Sequence, residues 1–309
     1  MRYRKHCVAF LFGARLISDQ LLYDILQSFT TKHVLTFAPV SRRFHAISVR
    51  ILQNRLTAAA TLLDHVLMLE LYPPSARLTA GKLFCTSLGT SGLDDKSIER
   101  LSDSEKIGHL VKAVYSRFRP QHQEILRRPS LKHPCGDVPG SRTHPSSADP
   151  MIHKYNAESN LVSQEVSLDA GELFTQLIAT LMLVKPGPRP DTILTAVEVC
   201  EGTIRVWRDW LAKQAKTETT ASFGAQADDS TVLWVNTADH AVGVKFRVKE
   251  RKWKRDNPVL FYSEEEVAVS YTVDLEEVVV RTSHLLFMVE ESLREQYDPL
   301  SRQLFLRPV

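Results

Sequence analysis

Apolar residues between positions 17 and 52 recur at the spacing of an α-helix. The first run places its apolar side chains on one face, which predicts an amphipathic helix that Ser18 or Asp19 can cap. A short turn follows from Lys32 to Ala38, and a longer helix is predicted to begin at Pro39, a residue suited to the first helical position. The apolar face of the first helix holds Leu21, Leu22, Ile25, Leu26 and Phe29, and the longer helix is expected to bury Val40, Phe44, Ile47 and Ile51.

This helical segment is too short to form a domain on its own. Segments below about 40 residues rarely bury enough apolar surface to fold alone. We therefore expect another protein to complete its core, which makes the segment a candidate protein-binding region. A helical hairpin buried within this chain is the alternative interpretation.

Beyond residue 60 the dominant hydrophobic period is two, the period of a β-strand. Val66–Tyr72 is predicted to be a buried strand. Alternation from Val242 to Val248 and from Val267 to Leu275 predicts antiparallel strands with one face in water. Further strands are predicted within 78–88 and 162–168, together with a hairpin of 193–200 and 203–207 that turns at Glu201 and Gly202.

A few helices and loops are predicted among these strands. Ser102 and Glu105 have the spacing of a capping box, and an apolar stripe from Ile107 to Phe118 continues that helix. A short amphipathic helix is predicted after Ser283. The other predictions are a helical turn with Leu173, Phe174 and Leu177, and a polar loop over 213–230.

These patterns indicate an α+β fold with a mostly antiparallel, sandwich-like β domain. The predicted organisation is an extension at 1–16, a helical domain at 17–60 and a β-rich domain formed by 61–118 and 161–309. Repeated prolines predict a disordered, flexible, Pro-rich insertion at 119–160. The insertion contains His133, Cys135, His144 and His153, whose spacing fits no standard zinc module, so no metal is expected.

Composition and charge restrict the expected cellular compartment more than they restrict the expected function. The net charge of +3 at pH 7 favours no particular partner, and nucleic acid is not indicated. Four cysteines without a paired motif indicate free thiols in a reducing compartment, so we expect the cytoplasm, the nucleus or both. No apolar run reaches the about 18 residues of a membrane span. The basic and then apolar start of the chain fits a short signal or transit sequence as well as a simple extension.

The helical segment resembles an F-box. The likeness lies in the pairs Ile25-Leu26 and Val34-Leu35 and in the run Val40-Ser41-Arg42-Arg43-Phe44. The start of the segment, Ile17 to Gln20, lacks the Pro and Glu of the family pattern. The layout, with the stretches Arg-Val-Trp-Arg-Asp-Trp and Val-Lys-Glu-Arg-Lys-Trp, is similar to that of fungal F-box proteins.

The resemblance implies a three-helix F-box that binds a Skp-type adaptor and so joins an SCF (cullin–RING) ubiquitin ligase complex. The β domain would then bind a protein target, whose identity the sequence does not reveal. No catalytic or cofactor-binding motif is present, so we expect a substrate receptor and neither an enzyme nor a cofactor. The residues expected to face the adaptor are Ile17, Leu21, Leu22, Ile25, Leu26, Leu35, Val40 and Phe44.

Two other functions remain open from the sequence. Trp207, Trp210 and Trp253 would line a sugar-binding groove if the β domain were lectin-like, as in plant phloem-lectin F-box proteins. The basic run Lys249–Arg255 would contact nucleic acid or direct nuclear import, although a charged strand that discourages sheet aggregation explains it as well.

Overall fold

The computed structural model describes residues 18–75, 81–94, 98–122, 153–156, 161–187, 192–218, 231–251 and 268–297. Ile17, Trp253 and most of the Pro-rich insertion lie outside the described residues. The fold is α+β, and every strand pairing in the described part is antiparallel. The predicted fold class is confirmed at this level.

The N-terminal part folds as a unit of three α-helices: α1 (Asp19–Gln27), α2 (Thr31–Phe37) and α3 (Arg42–Ala60). The Ser18 side chain caps α1 by accepting a hydrogen bond from the Leu21 amide at 3.4 Å. The Ser41 hydroxyl caps α3 in the same way, at 3.3 Å from the Phe44 amide. We call these three helices the helical unit.

The start of the long helix differs from the sequence prediction. Pro39 belongs to a separate 3₁₀ turn, Ala38–Val40, and α3 begins only after the extended residue Ser41. Serine satisfies the free amides of a first helical turn, and Pro39 has no such side chain to offer. Val40 therefore lies outside the helix and is exposed, and the prediction that it is buried was wrong.

Ten strands of the described part form one sheet. The strands are β1 (Val66–Tyr72), β2 (Lys82–Ser91), β3 (Tyr115–His122), β4 (His153–Asn156), β5 (Leu161–Leu168), β6 (Phe174–Pro186), β7 (Ile193–Trp207), β8 (Val232–Trp234), β9 (Val242–Glu250) and β10 (Val269–Arg281). They run in the order β4-β5-β10-β3-β2-β1-β6-β7, while β9 pairs with the other side of β10 and carries β8. A sandwich-like domain was expected, and the continuous pairing gives a single curved sheet instead.

The sheet curls until it is nearly a barrel. Gly202 of β7 lies so close to Val235 that an added Cβ would be 2.6 Å from Val235 Cγ1. This approach brings β7, at one end of the strand order, to the segment after β8. The inward-facing side chains, including Phe118, Val244 and Val278, share one buried core with Leu285 and Val289 from the C-terminal helix.

Three more helices complete the described fold: α4 (Asp103–Lys112), α5 (Arg208–Glu218) and α6 (Thr282–Tyr297). The capping box of Ser102 and Glu105 is present, which confirms that prediction, and the helix after Ser283 is confirmed as α6. No helix of the described residues has the length and apolar character needed to cross a membrane.

The strand β3 was missed because Val114 and Phe118 continue the helical spacing of α4. The helix ends at Lys112, and the chain turns to pair with β2 and β10. Pro120 is tolerated within β3 because it lies opposite Cys85 of β2 where the pairing with β10, which ends at Phe118, leaves the other side of the strand unpaired.

The strand β7 is continuous where a hairpin was predicted. It pairs with β6 along its length, from Trp207 opposite Phe174 to Ile193 opposite Pro186. Gly202 makes room for Val235 rather than making a turn. The predicted helical turn at 173–177 is also wrong, because Phe174 begins β6. The first part of the predicted loop at 213–230 belongs to α5, which ends at Glu218, and 219–230 lie outside the described residues.

Candidate functional site

Four of the eight residues expected to face an adaptor are buried or half-buried within this chain. Leu22, Leu26 and Phe44 are buried in a small core that the helical unit makes from its own side chains. Leu35 is half-buried against a second cluster that contains Leu286 of α6. These residues support the fold, and they are not available to a partner in this conformation.

Three of the other four remain exposed to solvent, and the fourth, Ile17, lies outside the described residues. Leu21 is 58% exposed, Ile25 38% and Val40 43%, and Phe29, just beyond α1, is 38% exposed. Leu21 and Ile25 lie one helical turn apart on the same face of α1. We call Leu21, Ile25, Phe29 and Val40 the exposed apolar set of the helical unit. Phe29 was not among the residues expected to face a partner, because its helical spacing groups it with the buried residues as readily as with the exposed ones.

Polar contacts hold α1 against α3 beside this set. Arg43 Nε lies 2.5 Å from Asp19 Oδ1, which joins the first turns of the two helices. The Arg50 guanidinium lies over the Tyr23 ring at 5.1 Å, and the Tyr23 hydroxyl accepts a hydrogen bond from Asn54 at 2.9 Å. The orientation of α1, and with it the position of Leu21 and Ile25, is therefore fixed from within the helical unit.

The far side of the helical unit is fastened to the C-terminal helix by one carboxylate. Glu290 accepts hydrogen bonds from the Thr31 amide at 3.1 Å, from the Thr31 hydroxyl at 2.5 Å and from Arg55 Nη1 at 3.3 Å. Arg55 also donates to the carbonyls of Gln27 and Phe29, at 2.9 and 2.5 Å. Burial lowers the pKa of Arg55, and the nearby Glu290 carboxylate opposes that shift.

A second apolar cluster continues this attachment. One side of α3 contributes to the core of the helical unit, and its other side packs against α4 and α6. The members of this second cluster are Val49, Leu52, Leu56, Ala59, Ile98, Leu110, Val114 and Leu286. The helical unit is thus anchored on one side, and its exposed apolar set is not used in that anchoring.

The tryptophans expected in a sugar-binding groove do not share one surface. Trp207 is exposed at the end of β7, where its ring lies 5.0 Å from that of Phe174. Trp210 is half-buried and packs against the core of the sheet. Trp253 lies outside the described residues. Trp207 and Trp210 therefore do not lie together on one exposed surface, so the lectin-like interpretation loses its main support.

The described part of the basic run is paired with acids on neighbouring strands. Lys249 Nζ lies 2.8 Å from Asp274 of β10, and Arg251 Nη1 lies 2.9 Å from Glu165 of β5. These ion pairs agree with the interpretation as a charged strand surface. The rest of the run, residues 252–255, lies outside the described residues.

One buried serine lies within hydrogen-bond distance of a histidine. His65 Nε2 is 3.0 Å from Ser292 Oγ, which also contacts Thr195. All three side chains are buried, and Ser292 has no exposed surface, so no substrate reaches the hydroxyl. The contacts join α6 to β7 and to the segment before β1. Within the described ranges, no group of His, Cys, Asp and Glu is arranged to hold a metal ion.

An open groove of about 970 Å³ lies between α3 and β2. Most of its lining residues are polar, and they include Asp94 and Arg100 from the segment that leads to α4. Gly89 of β2 also lines it, and this glycine is paired with Arg117 of β3. The groove has the size of a ligand site but is open to solvent, and its lining residues include no cluster of convergent titratable groups.

Comparisons with known proteins add no family assignment. A scan against models of protein families, a search of curated proteins and a search of solved structures find no match to this chain.

Proposed function

We propose that this chain is an F-box substrate receptor of an SCF ubiquitin ligase, similar in layout to the fungal F-box proteins. The helical unit binds a Skp-type adaptor, and the β domain binds a protein target. The observation that supports the proposal best is the exposed apolar set on helices whose own core is already filled. Exposed apolar surface on a well-packed unit is typical of a protein-binding site.

The proposed mechanism is proximity, without catalysis by this chain. Holding a target beside the ubiquitin-charged carrier raises the effective concentration of its lysines. Glu290 and the cluster around Leu286 fix the helical unit to the rest of the protein, so the target would be presented in a constant orientation. An adaptor in a cullin complex places this function in the cytoplasm, the nucleus or both.

The test is capture of the Skp-type adaptor by the full chain. The informative variant is Leu21→Asp with Ile25→Asp, because both side chains are exposed and the fold should tolerate the change. Placing charge in the centre of an apolar interface should weaken binding by at least about 100-fold, near 2.7 kcal/mol. Leu22→Asp would not distinguish binding from folding, since Leu22 is fully buried.

The matched control is Leu173→Asp, which changes an exposed leucine just before β6. We expect it to bind the adaptor as the unaltered protein does. Circular dichroism and thermal unfolding should be the same for all three proteins. The proposal is refuted if the folded, unaltered chain captures no adaptor, or if the double variant captures it equally well.

A further inference from the structure

The outer face of the sheet carries many basic side chains, and most of them are neutralised by acids. Side chains on this face alternate with the inward core residues along each strand. Glu276 lies beside both Lys245 and Arg247, and Asp239 binds Arg281. The other ion pairs on this face join Lys249 to Asp274 and Arg251 to Glu165.

Arg117 and Arg119 of β3 break this pattern. Their strand neighbours Ser116 and Phe118 are buried, so the two arginines share the outer face. Among the residues that the structure describes, neither guanidinium has an ion pair or a hydrogen bond. Arg117 is half-buried, and its Nε atom is buried without a partner. A guanidinium without an acceptor in the described part of the protein can donate to an outside carboxylate, and Arg119 beside it is exposed to solvent.

The positions beside Arg117 leave space for such a ligand. Gly89 lies opposite it on β2 with φ +122°, and an added Cβ there would meet no atom of the described residues within 4 Å. Val279 lies opposite it on β10. The paired position on β2 therefore places no side chain over Arg117, and Gly89 also lines the groove between α3 and β2.

Aromatic side chains lie beside the two arginines where β3 begins, at Tyr115. The Tyr115 ring lies 5.7 Å from that of Trp234, which is stacked on His240 at 5.0 Å. The Tyr115 hydroxyl donates to the His240 carbonyl at 3.2 Å. Arginine, tyrosine and tryptophan are the residues most enriched at the energetic centres of protein interfaces. The composition of this surface is that of a protein-binding site.

We infer that Arg117 and Arg119 bind acidic side chains of a protein partner, which is the target in the proposed function. The inference rests on that function for the partner's role, but the site can be tested without the adaptor. A guanidinium holds a carboxylate or a phosphate ester through the same paired hydrogen bonds. A nucleic acid fits less well, because the ion pairs of β9 and β10 leave, in the described part of this face, only the short Arg117 and Arg119 pair for an extended chain of phosphates, which needs a longer basic surface.

The experiment measures fluorescence polarisation of labelled peptides with the full chain. The probes are a glutamate-rich peptide, a phosphoserine peptide and a glutamine-rich peptide of the same length, with a short single-stranded DNA as the competing class. We expect one or both anionic peptides to bind, and the glutamine-rich peptide not to bind. The anionic peptide that binds more tightly shows whether the partner supplies carboxylates or phosphate esters.

The variant Arg117→Gln with Arg119→Gln should weaken anionic peptide binding by at least about tenfold, as expected for losing charge-assisted hydrogen bonds. The control is Arg205→Gln, an exposed sheet arginine that lies over the Phe174 ring, and it should leave binding unchanged. The inference is overturned if no anionic peptide binds at about 1 mM, if the double variant binds as well as the unaltered chain, or if DNA binds more tightly than either peptide. Adaptor capture is measured separately, so failure here leaves the proposed adaptor binding intact.

Discussion

Replacing Glu290 with alanine should loosen the helical unit from the rest of the protein. The substitution removes the acceptor for the Thr31 amide, the Thr31 hydroxyl and Arg55 Nη1 at once. It also leaves the Arg55 guanidinium, 18% exposed, without its only ion-pair partner in the described part of the chain. Arg55 would still donate to the carbonyls of Gln27 and Phe29.

The expected loss is about 3 kcal/mol in the free energy of unfolding. A hydrogen bond to a charged group contributes about 1.5–3 kcal/mol, and three bonds to one carboxylate are not additive. The Glu290 side chain is 26% exposed, so water would partly replace the lost contacts. Glu290→Gln keeps the shape and one acceptor, and it should cost about 1 kcal/mol.

Urea unfolding, followed by circular dichroism, measures these changes. Glu291→Ala is the matched control, because Glu291 is on the same helix but pairs only with the neighbouring Arg294 at the surface. That control should change stability by less than about 0.5 kcal/mol. Hydrogen exchange of the Thr31 amide should accelerate in Glu290→Ala alone. Equal stabilities for Glu290→Ala and Glu291→Ala would refute the view that this carboxylate fastens the helical unit.

Three further predictions concern a glycine of the sheet, a glycine of α4 and a buried histidine. Gly243→Ala should destabilise the protein by about 1–3 kcal/mol, because the new Cβ would lie 2.7 Å from Val232 Cγ1 and 2.8 Å from the Trp234 ring. Gly108→Ala, in an open helical position, should stabilise it by about 0.5–1 kcal/mol in the same urea assay. Burial lowers the pKa of His65 below its ordinary 6.5, so the unfolded chain takes up the proton first as the pH falls. Stability should therefore be full above about pH 6.5 and decline below it, and His65→Gln should show a smaller decline; an identical decline would contradict this.

The hydrophobic pattern predicted elements well where one period persisted for a whole element. The alternation of β9 and the helical stripe of α6 are examples, since one side of each meets the core. It failed at β3, where Val114 and Phe118 fit a helix locally while pairing with β2 and β10 decides the structure. It failed at Gly202 because the need for glycine there comes from Val235, which is distant in sequence.

The exposed apolar set and the polar contacts around it could be predicted only in part, again because packing between distant segments decides them. Leu21 and Leu22 are neighbours with the same side chain, and only the packing of α3 decides that Leu22 is buried and Leu21 exposed. Glu290 carries no signal in the sequence, because its partner Arg55 lies 235 positions away. The unpaired state of Arg117 is likewise visible only once the neighbouring strands are in register.

The ion pair between Arg55 and Glu290 can form only late in translation, because its two residues are far apart in the chain. The ribosome makes Glu290 235 residues after Arg55. At about 5–20 residues per second, that delay is roughly 12–47 s. Throughout it, the amino-terminal helices lack α6, so the side of α3 that carries Leu52 and Leu56 has only the segment around α4 to cover it. The nascent protein therefore exposes part of a second apolar surface, beside the exposed apolar set, until α6 has been made.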